Sequence, residues 1–358
     1  MVFQKSTMTL FSLSIAFTFL TYLLTLSQTQ LSPKPCNDPY KQLNLILNPN
    51  GTITRPNKSP ETPPSLDPTL PILSKDLIIN QSKHTWARIY LPRKALDQNP
   101  KNRFPLVIFF HGGGFIFLSA ASTIFHDFCF NMANDVVAVV ASIEYRLAPE
   151  HRLPAAYEDA VEALHWIKSN QDDWFKGLKN YVDYSNVFLM GSSAGGNIAY
   201  NAGLRVAARD DEFSKMIKGI ILVQPYFGGT HRTNSEIKLA NDSHLSLCNN
   251  DMMWELSLPI GVDRDHEYCN PTVGDSVLKL ENIRRLGWFV LVTDCDGDPL
   301  VDRSIGLVSL MEKKGVRVVG HFTRGDYHGV QDRDPLKAKE LFVVIKSFFG
   351  SLFNYTIE

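Results

Sequence analysis

Hydrophobic and polar positions along this chain alternate between two kinds of segment. One kind is a short, mostly apolar run: His84–Leu91, Pro105–Phe110, Val136–Ile143, Val187–Met190, Ile217–Val223, Gly287–Thr293 and Val316–Phe322. Runs of this length, bounded by polar residues, Gly or Pro, predict strands buried on both faces. The other kind repeats its apolar residues at helical intervals. Pro154–Ser169 carries Ala160, Val161, Leu164 and Ile167 at such intervals, and Ser122–Asn134, Val301–Lys314 and Pro335–Phe349 are spaced alike. Strands separated by helices predict an α/β fold with a mostly parallel sheet covered on both faces. Two stretches break the rhythm. Residues 28–75, rich in Pro, Asn, Ser and Thr, predict an irregular entry segment. Phe227–Asn270 starts polar and then carries Met252, Met253 and Trp254; inserted after a central strand, it suits a cap over the carboxyl edge of the sheet, where such sheets bind ligands.

The chain's start adds a separate element. Met8 to Leu26 carries no charge and follows Lys5, which gives a charged region and then an apolar run of about signal length. Thr25 and Ser27 offer small residues for cleavage, and the run approaches the ~20 residues that span a bilayer. Residues 1–30 are therefore expected to be a signal peptide or a membrane anchor, with entry into the endoplasmic reticulum and membrane association through residues 8–26. The alternative is an apolar helix packed on a cytoplasmic domain. Sequons at Asn50, Asn57, Asn80, Asn241 and Asn354 are compatible with the secretory route.

Composition changes the picture only by exclusion. Lys and Arg number 36 against 37 Asp and Glu, and no basic block interrupts the balance, so nucleic-acid binding has no electrostatic footprint. Cys36, Cys129, Cys248, Cys269 and Cys295 lack the spacing of a zinc site or a disulfide framework. A Cys248–Cys269 bridge would require an oxidising compartment.

The chemistry gathers around Asn186–Tyr200. A short apolar strand runs into Gly191-Ser192-Ser193-Ala194-Gly195 and then into a small-residue helix start. This is the G-x-S-x-G pattern of a nucleophile elbow with Ser193 at its apex. A chain that reverses this sharply needs neighbours without bulky side chains, and the following helix start offers free N–H groups where negative charge develops. Upstream, the strand PLVIFF ends in His111-Gly112-Gly113-Gly114-Phe115. Successive glycines let backbone N–H groups approach a substrate oxygen, so Gly112, Gly113 and Gly114 with the Ala194 amide form a candidate oxyanion hole. His111 reads as a structural support of that loop.

A base and an acid are required downstream, in the order Ser…Asp…His. His321 falls within a strand. His328, in Gly325-Asp326-Tyr327-His328-Gly329, lies on the loop between the last strand and the last helix and is the candidate base. The acid lies in Asp294-Cys295-Asp296-Gly297-Asp298-Pro299-Leu300-Val301-Asp302. A calcium loop fails here, because Pro299 stands where Gly is required and Ile305 where a bidentate Glu is required. Asp302 reads as a first-turn helix partner and Asp294 as the end of a strand; Asp298, on the loop after the strand and just before helix-starting Pro299, is best placed to hold the imidazole. Candidate pocket residues are Phe115, Phe117, Phe227 and Trp254. Arg146 and Glu150 read as an internal ion pair.

Taken together, HGGGF at His111–Phe115, EYRLAPEH at Glu144–His151, PAAYED at Pro154–Asp159, GSSAGG at Gly191–Gly196, GDPLVD at Gly297–Asp302 and GDYH at Gly325–His328 resemble the plant carboxylesterases. Those belong to the hormone-sensitive-lipase branch of the α/β-hydrolase fold. The likeness runs from about Asp38 to the C-terminus, and it implies an α/β-hydrolase domain over 31–358 with cap parts at about 31–75 and 227–270. It also implies Ser193 as nucleophile, Asp298 and His328 as its partners, and the glycine loop as oxyanion hole. Related gibberellin receptors have lost the histidine, whereas His328 is present; related isoflavanone dehydratases carry threonine at the nucleophile, whereas Ser193 stands. Some relatives in alkaloid pathways keep the triad for eliminations, cyclisations or ester cleavage with decarboxylation. The expectation is a serine esterase acting on a small to medium apolar carboxylic ester or a related plant metabolite, with neither metal nor organic cofactor implied.

Overall fold

The computed structural model of this chain describes residues 38–94, 103–169, 180–209 and 211–353. The apolar run at 8–26 and the sequon at Asn354 lie outside them. Among the described residues, no helix is long and apolar enough to cross a membrane.

Eight strands form one sheet: β1 (Ile72–Asn80), β2 (Thr85–Pro92), β3 (Phe104–Phe110), β4 (Val139–Ile143), β5 (Val182–Ser192), β6 (Ile217–Val223), β7 (Phe289–Cys295) and β8 (Arg317–Thr323). Their order is β8-β7-β6-β5-β3-β4-β2-β1. β2 is antiparallel to both neighbours and every other pairing is parallel. The apolar runs find cover on both faces except at β8, an edge strand whose residues are mostly exposed, contrary to the expectation from its sequence. Along β3, Leu106, Ile108 and Phe110 enter one core while Val107 and Phe109 enter the other. The first core is shared with helices α2 (Ala155–Ser169), α3 (Ala194–Ala207), α5 (Asp275–Leu286) and α6 (Val301–Lys313). The second is closed by α1 (Thr123–Met132) and α7 (Pro335–Phe353). Helix α4 (Leu247–Ser257) lies in the insertion between β6 and β7.

Three departures from the sequence reading have local causes. β1 takes residues that read as the end of an irregular segment and the gap after it. It is an edge strand with mixed burial, and its mid-strand Asp76 is paired across the sheet with Arg88, whose Nε and Nη2 lie 2.6 and 2.8 Å from the carboxylate. The run at Val136–Ile143 becomes strand only from Val139, because Ala133–Val137 forms a π-helical turn. The insertion extends beyond Asn270 into α5, which packs on α3 and belongs to the layer covering the sheet. Cys269 is a free, buried thiol, so the Cys248–Cys269 bridge is not formed.

Phe109 is fully buried and packs against Phe125 and Phe128 of α1, with ring centroids 6.1 and 5.4 Å away. Phe109→Ala is expected to lower unfolding stability by about 3–5 kcal/mol, read from urea midpoints, because a cavity opens between sheet and helix. An unchanged midpoint would contradict this packing.

Candidate active site

β5 ends at Ser192 and α3 begins at Ala194, so Ser193 reverses the chain alone. It takes φ 53° and ψ −118°, a strained conformation that costs a non-glycine residue about 1–3 kcal/mol. The reversal is crowded: a Cβ on Gly191 would lie 2.0 Å from the Gly195 carbonyl oxygen, and one on Gly195 would lie 1.9 Å from that of Phe110. Two backbone bonds fasten the bend to the end of β6. The Ser193 N–H donates to Val223 O at 2.8 Å, and the Tyr226 N–H donates to Ser193 O at 2.9 Å.

His328 and Asp298 arrive from loops after β8 and β7. His328 Nε2 lies 2.8 Å from Ser193 Oγ, and His328 Nδ1 lies 2.6 Å from Asp298 Oδ2. A carboxylate only accepts, so Nδ1 carries the proton and Nε2 is left to accept from the serine hydroxyl. The other Asp298 oxygen accepts from the Leu300 N–H at 2.8 Å. Burial, and next the neighbouring Asp298 charge, push the Asp294 carboxyl well above the usual carboxylate range. Asp302 accepts from the Ser235 N–H at 2.9 Å and takes no part in the site.

The glycine loop is oriented from behind. His111 Nδ1 donates to Gly112 O at 2.8 Å, and the Gly113 carbonyl accepts from the Ile116 and Phe117 amides at 3.1 and 2.9 Å. In a trans peptide C=O and N–H point opposite ways, so these bonds turn the Gly113 and Gly114 N–H groups away from that packing. Gly113 sits at φ 114°, and a Cβ there would lie 2.1 Å from Phe117 O. The Ala194 N–H is the first of α3 and has no intrahelical acceptor. His111 is wholly buried, stacked on Tyr145 at 4.2 Å, with burial holding its imidazole down at about 4, so it stays neutral and structural.

Gly112, Gly113, Gly114, Ser193 and His328 line a cavity of about 330 Å³. Phe117 lines it too. The other aromatic candidates pack behind it: Phe115 and Trp254 form a fully buried cluster with Tyr226, and Phe227 packs edge-on against Tyr200. Arg146 and Glu150 do not pair with each other. Arg146 is bound by Asp159 at 2.7 Å, and Glu150 by Arg55 at 2.7 Å. A wider groove is lined by Lys83, Glu162 and Arg205, and Lys83 is there spent on Glu162 at 2.9 Å. Sequence reasoning missed Asp332, which lines the cavity and accepts from Ser192 Oγ at 2.7 Å. Its place four residues after His328 is the signal that was there to be read.

Sheet order, elbow and glycine loop together define a hydrolase of the α/β type. A family model described as the alpha/beta hydrolase fold matches residues 107–332. Carboxylesterase 20 of Arabidopsis thaliana is 51% identical over 326 residues, 89% of this chain and 99% of that protein. A 3-O-acetylpapaveroxine carboxylesterase of Papaver somniferum is 44% identical over 320 residues, 87% and 99% of the two chains. Among solved structures, the Pyrobaculum calidifontis esterase aligns with a TM-score of 0.64 and 28% identity over 78% of this chain and 85% of that one. The chain belongs to the plant carboxylesterase family of the α/β-hydrolase fold and is a carboxylic ester hydrolase.

Glu144 lies behind the glycine loop, accepting from the Ala120 N–H at 2.7 Å and lying 3.7 Å from His111 Nε2. Burial raises its carboxyl to about 7 from the ordinary 4.5. The folded protein thus holds a proton there that the unfolded chain has lost, and this contribution to stability is present below pH 4.5 and lost as pH rises towards about 7. Glu144→Gln cannot lose that proton. Its melting temperature relative to wild type is expected to climb between those two pH values; a constant difference would contradict the burial argument.

Proposed function

We propose that this chain is a serine carboxylesterase working through an acyl-enzyme, with Ser193 as nucleophile, His328 as general base and acid, and Asp298 fixing the imidazole tautomer. The observation that carries the reading is the continuous Asp298–His328–Ser193 hydrogen-bonded chain ending at a strained elbow. Neutral His328 accepts the Ser193 proton through Nε2 as Oγ attacks the ester carbonyl. The oxyanion is held by amides among Gly112, Gly113, Gly114 and Ala194, each such donor contributing about 2.7–4 kcal/mol. His328 then protonates the leaving alcohol and activates the water that clears the acyl group from serine.

The substrate in this reading is a small to medium ester with an apolar body. Leu43, Phe117, Leu118, Ile124, Leu245 and Met253 give the cavity its apolar lining, while Asn57, His244 and Asn249 supply a few polar contacts. Leu43 and Asn57 come from the entry segment, and His244, Leu245, Asn249 and Met253 from the insertion, which supports a cap built of those two parts. The poppy relative's name favours a second reading, a biosynthetic enzyme acting on a specialised metabolite. The uncharged run at 8–26 supports a secretory leader or anchor, to be tested by N-terminal sequencing of the mature protein from plant cells.

Ser193→Ala is expected to abolish fluorophosphonate labelling and to reduce kcat on p-nitrophenyl acetate about 10⁴–10⁶-fold; Asp298→Asn is expected to reduce kcat about 10⁴-fold with labelling slowed. Labelling of wild type at any other residue would overturn the assignment. Labelling at Ser193 without generic ester turnover would favour the biosynthetic reading.

A further inference from the structure

At the carboxyl end of β6 stands a wholly buried side chain that the reaction scheme leaves unused. Gln224 is held at φ 44°, a conformation unfavourable for a residue with a Cβ. Its side-chain amide spans the two residues flanking His328: Nε2 donates to Tyr327 O at 3.0 Å, and Oε1 accepts from the Gly329 N–H at 2.6 Å. The remaining Nε2 hydrogen is directed to Cys295 Sγ at 3.3 Å, on the strand end that leads to Asp298. The Gln224 backbone is anchored as well, its N–H donating to Thr293 O at 2.7 Å. These contacts fix which end of the amide is which. Flipped, its oxygen would face a carbonyl and its NH₂ would face an N–H.

Position in the sheet gives this clamp its consequence. The residue before Gln224 is Val223, whose carbonyl holds the Ser193 N–H. One β-strand end therefore grips the nucleophile's backbone through Val223 and the histidine's flanking peptides through Gln224. The distance between Ser193 Oγ and His328 Nε2 is thus referred to a single rigid element, although the two residues are 135 apart in sequence.

We propose that Gln224 is a positioning residue that sets His328 against Ser193; the inference rests on the reading of His328 as the general base. Gln224 does not line the cavity, so it acts on the rate and leaves substrate binding alone. A displacement of about 1 Å in such a group is enough to reduce rates about 10²-fold.

The test uses Gln224→Met, similar in length and unable to hydrogen-bond as an amide, made in the wild-type protein and in His328→Ala, with p-nitrophenyl acetate as substrate. In the wild-type background kcat should fall about 10–100-fold with KM within about twofold. In the His328→Ala background the same substitution should cost nothing further, because the group it positions is gone. A wild-type kcat in the single variant, or an equal loss in both backgrounds, overturns the proposal and leaves the base assignment standing. A wild-type kcat in His328→Ala itself overturns the base assignment and this proposal with it. Where Gln224→Met does not accumulate as folded protein, Gln224→Asn carries the test: it keeps the amide but is one methylene too short to reach both Tyr327 O and the Gly329 N–H, and the same pair of outcomes applies.

Discussion

Backbone crowding at the end of β5 is the constraint on which the remaining geometry depends. The Gly195 Cα approaches the Phe110 carbonyl so closely that a Cβ would fall 1.9 Å from its oxygen. That contact joins the start of α3 to the end of β3, and β3 leads directly into the glycine loop. The strain at Ser193 and the nearness of the oxyanion amides are thus one fact of packing. A single conformation persists there because hydrogen bonds to Val223 and from Tyr226 oppose any relaxation of the bend.

Charge is rationed in the same way. Beneath the imidazole two carboxyl groups share a water-poor site, and two like charges so close cannot both persist. Asp294 accepts from Ser304 Oγ, and burial raises its proton affinity, while Asp298 is bonded to His328. Behind the glycine loop the same rule applies with a different pair. Burial lowers the proton affinity of His111 and raises that of Glu144, which opposes an ion pair across the 3.7 Å between them.

What the sequence disclosed, and what it withheld, follows from whether a feature is local. The elbow, the glycine triplet and His328 were legible because each depends on residue types within a few positions of one another. Strands β3 to β7 were legible because burial on both faces leaves largely apolar runs, whereas β8 is an exposed edge strand. Pairings were not. Arg146 chooses Asp159 over Glu150 because α2 brings Asp159 beneath the end of β4, a relation fixed only by packing. Phe115, Phe227 and Trp254 are as aromatic as any pocket residue, and only the third dimension shows that they back the cavity wall while Phe117 faces inward. Gln224 carried no signal at all, since an amide beside a proline gives no hint of the loop it will hold.

Catalytic floor and opposite wall differ in how they are built, and that difference bears on specificity. The floor comes from strand ends and tight loops, whose positions are set by the sheet. The opposite wall draws on Leu43 and Asn57 from the entry segment and on His244, with Asn249 and Met253 of α4, from the insertion. Neither stretch has strong periodicity, yet both reach the first core, through Leu43 and Leu45 in one and Met252, Trp254 and Leu256 in the other. The two parts nevertheless touch where it matters: Met253 Sδ lies 2.2 Å from the point that a Cβ on Gly114 would occupy. Gly114 therefore admits the wall against the oxyanion loop. Substitutions at Met253 alter the shape of the space above the reacting carbonyl without disturbing the bonds that fix Ser193, His328 and Asp298.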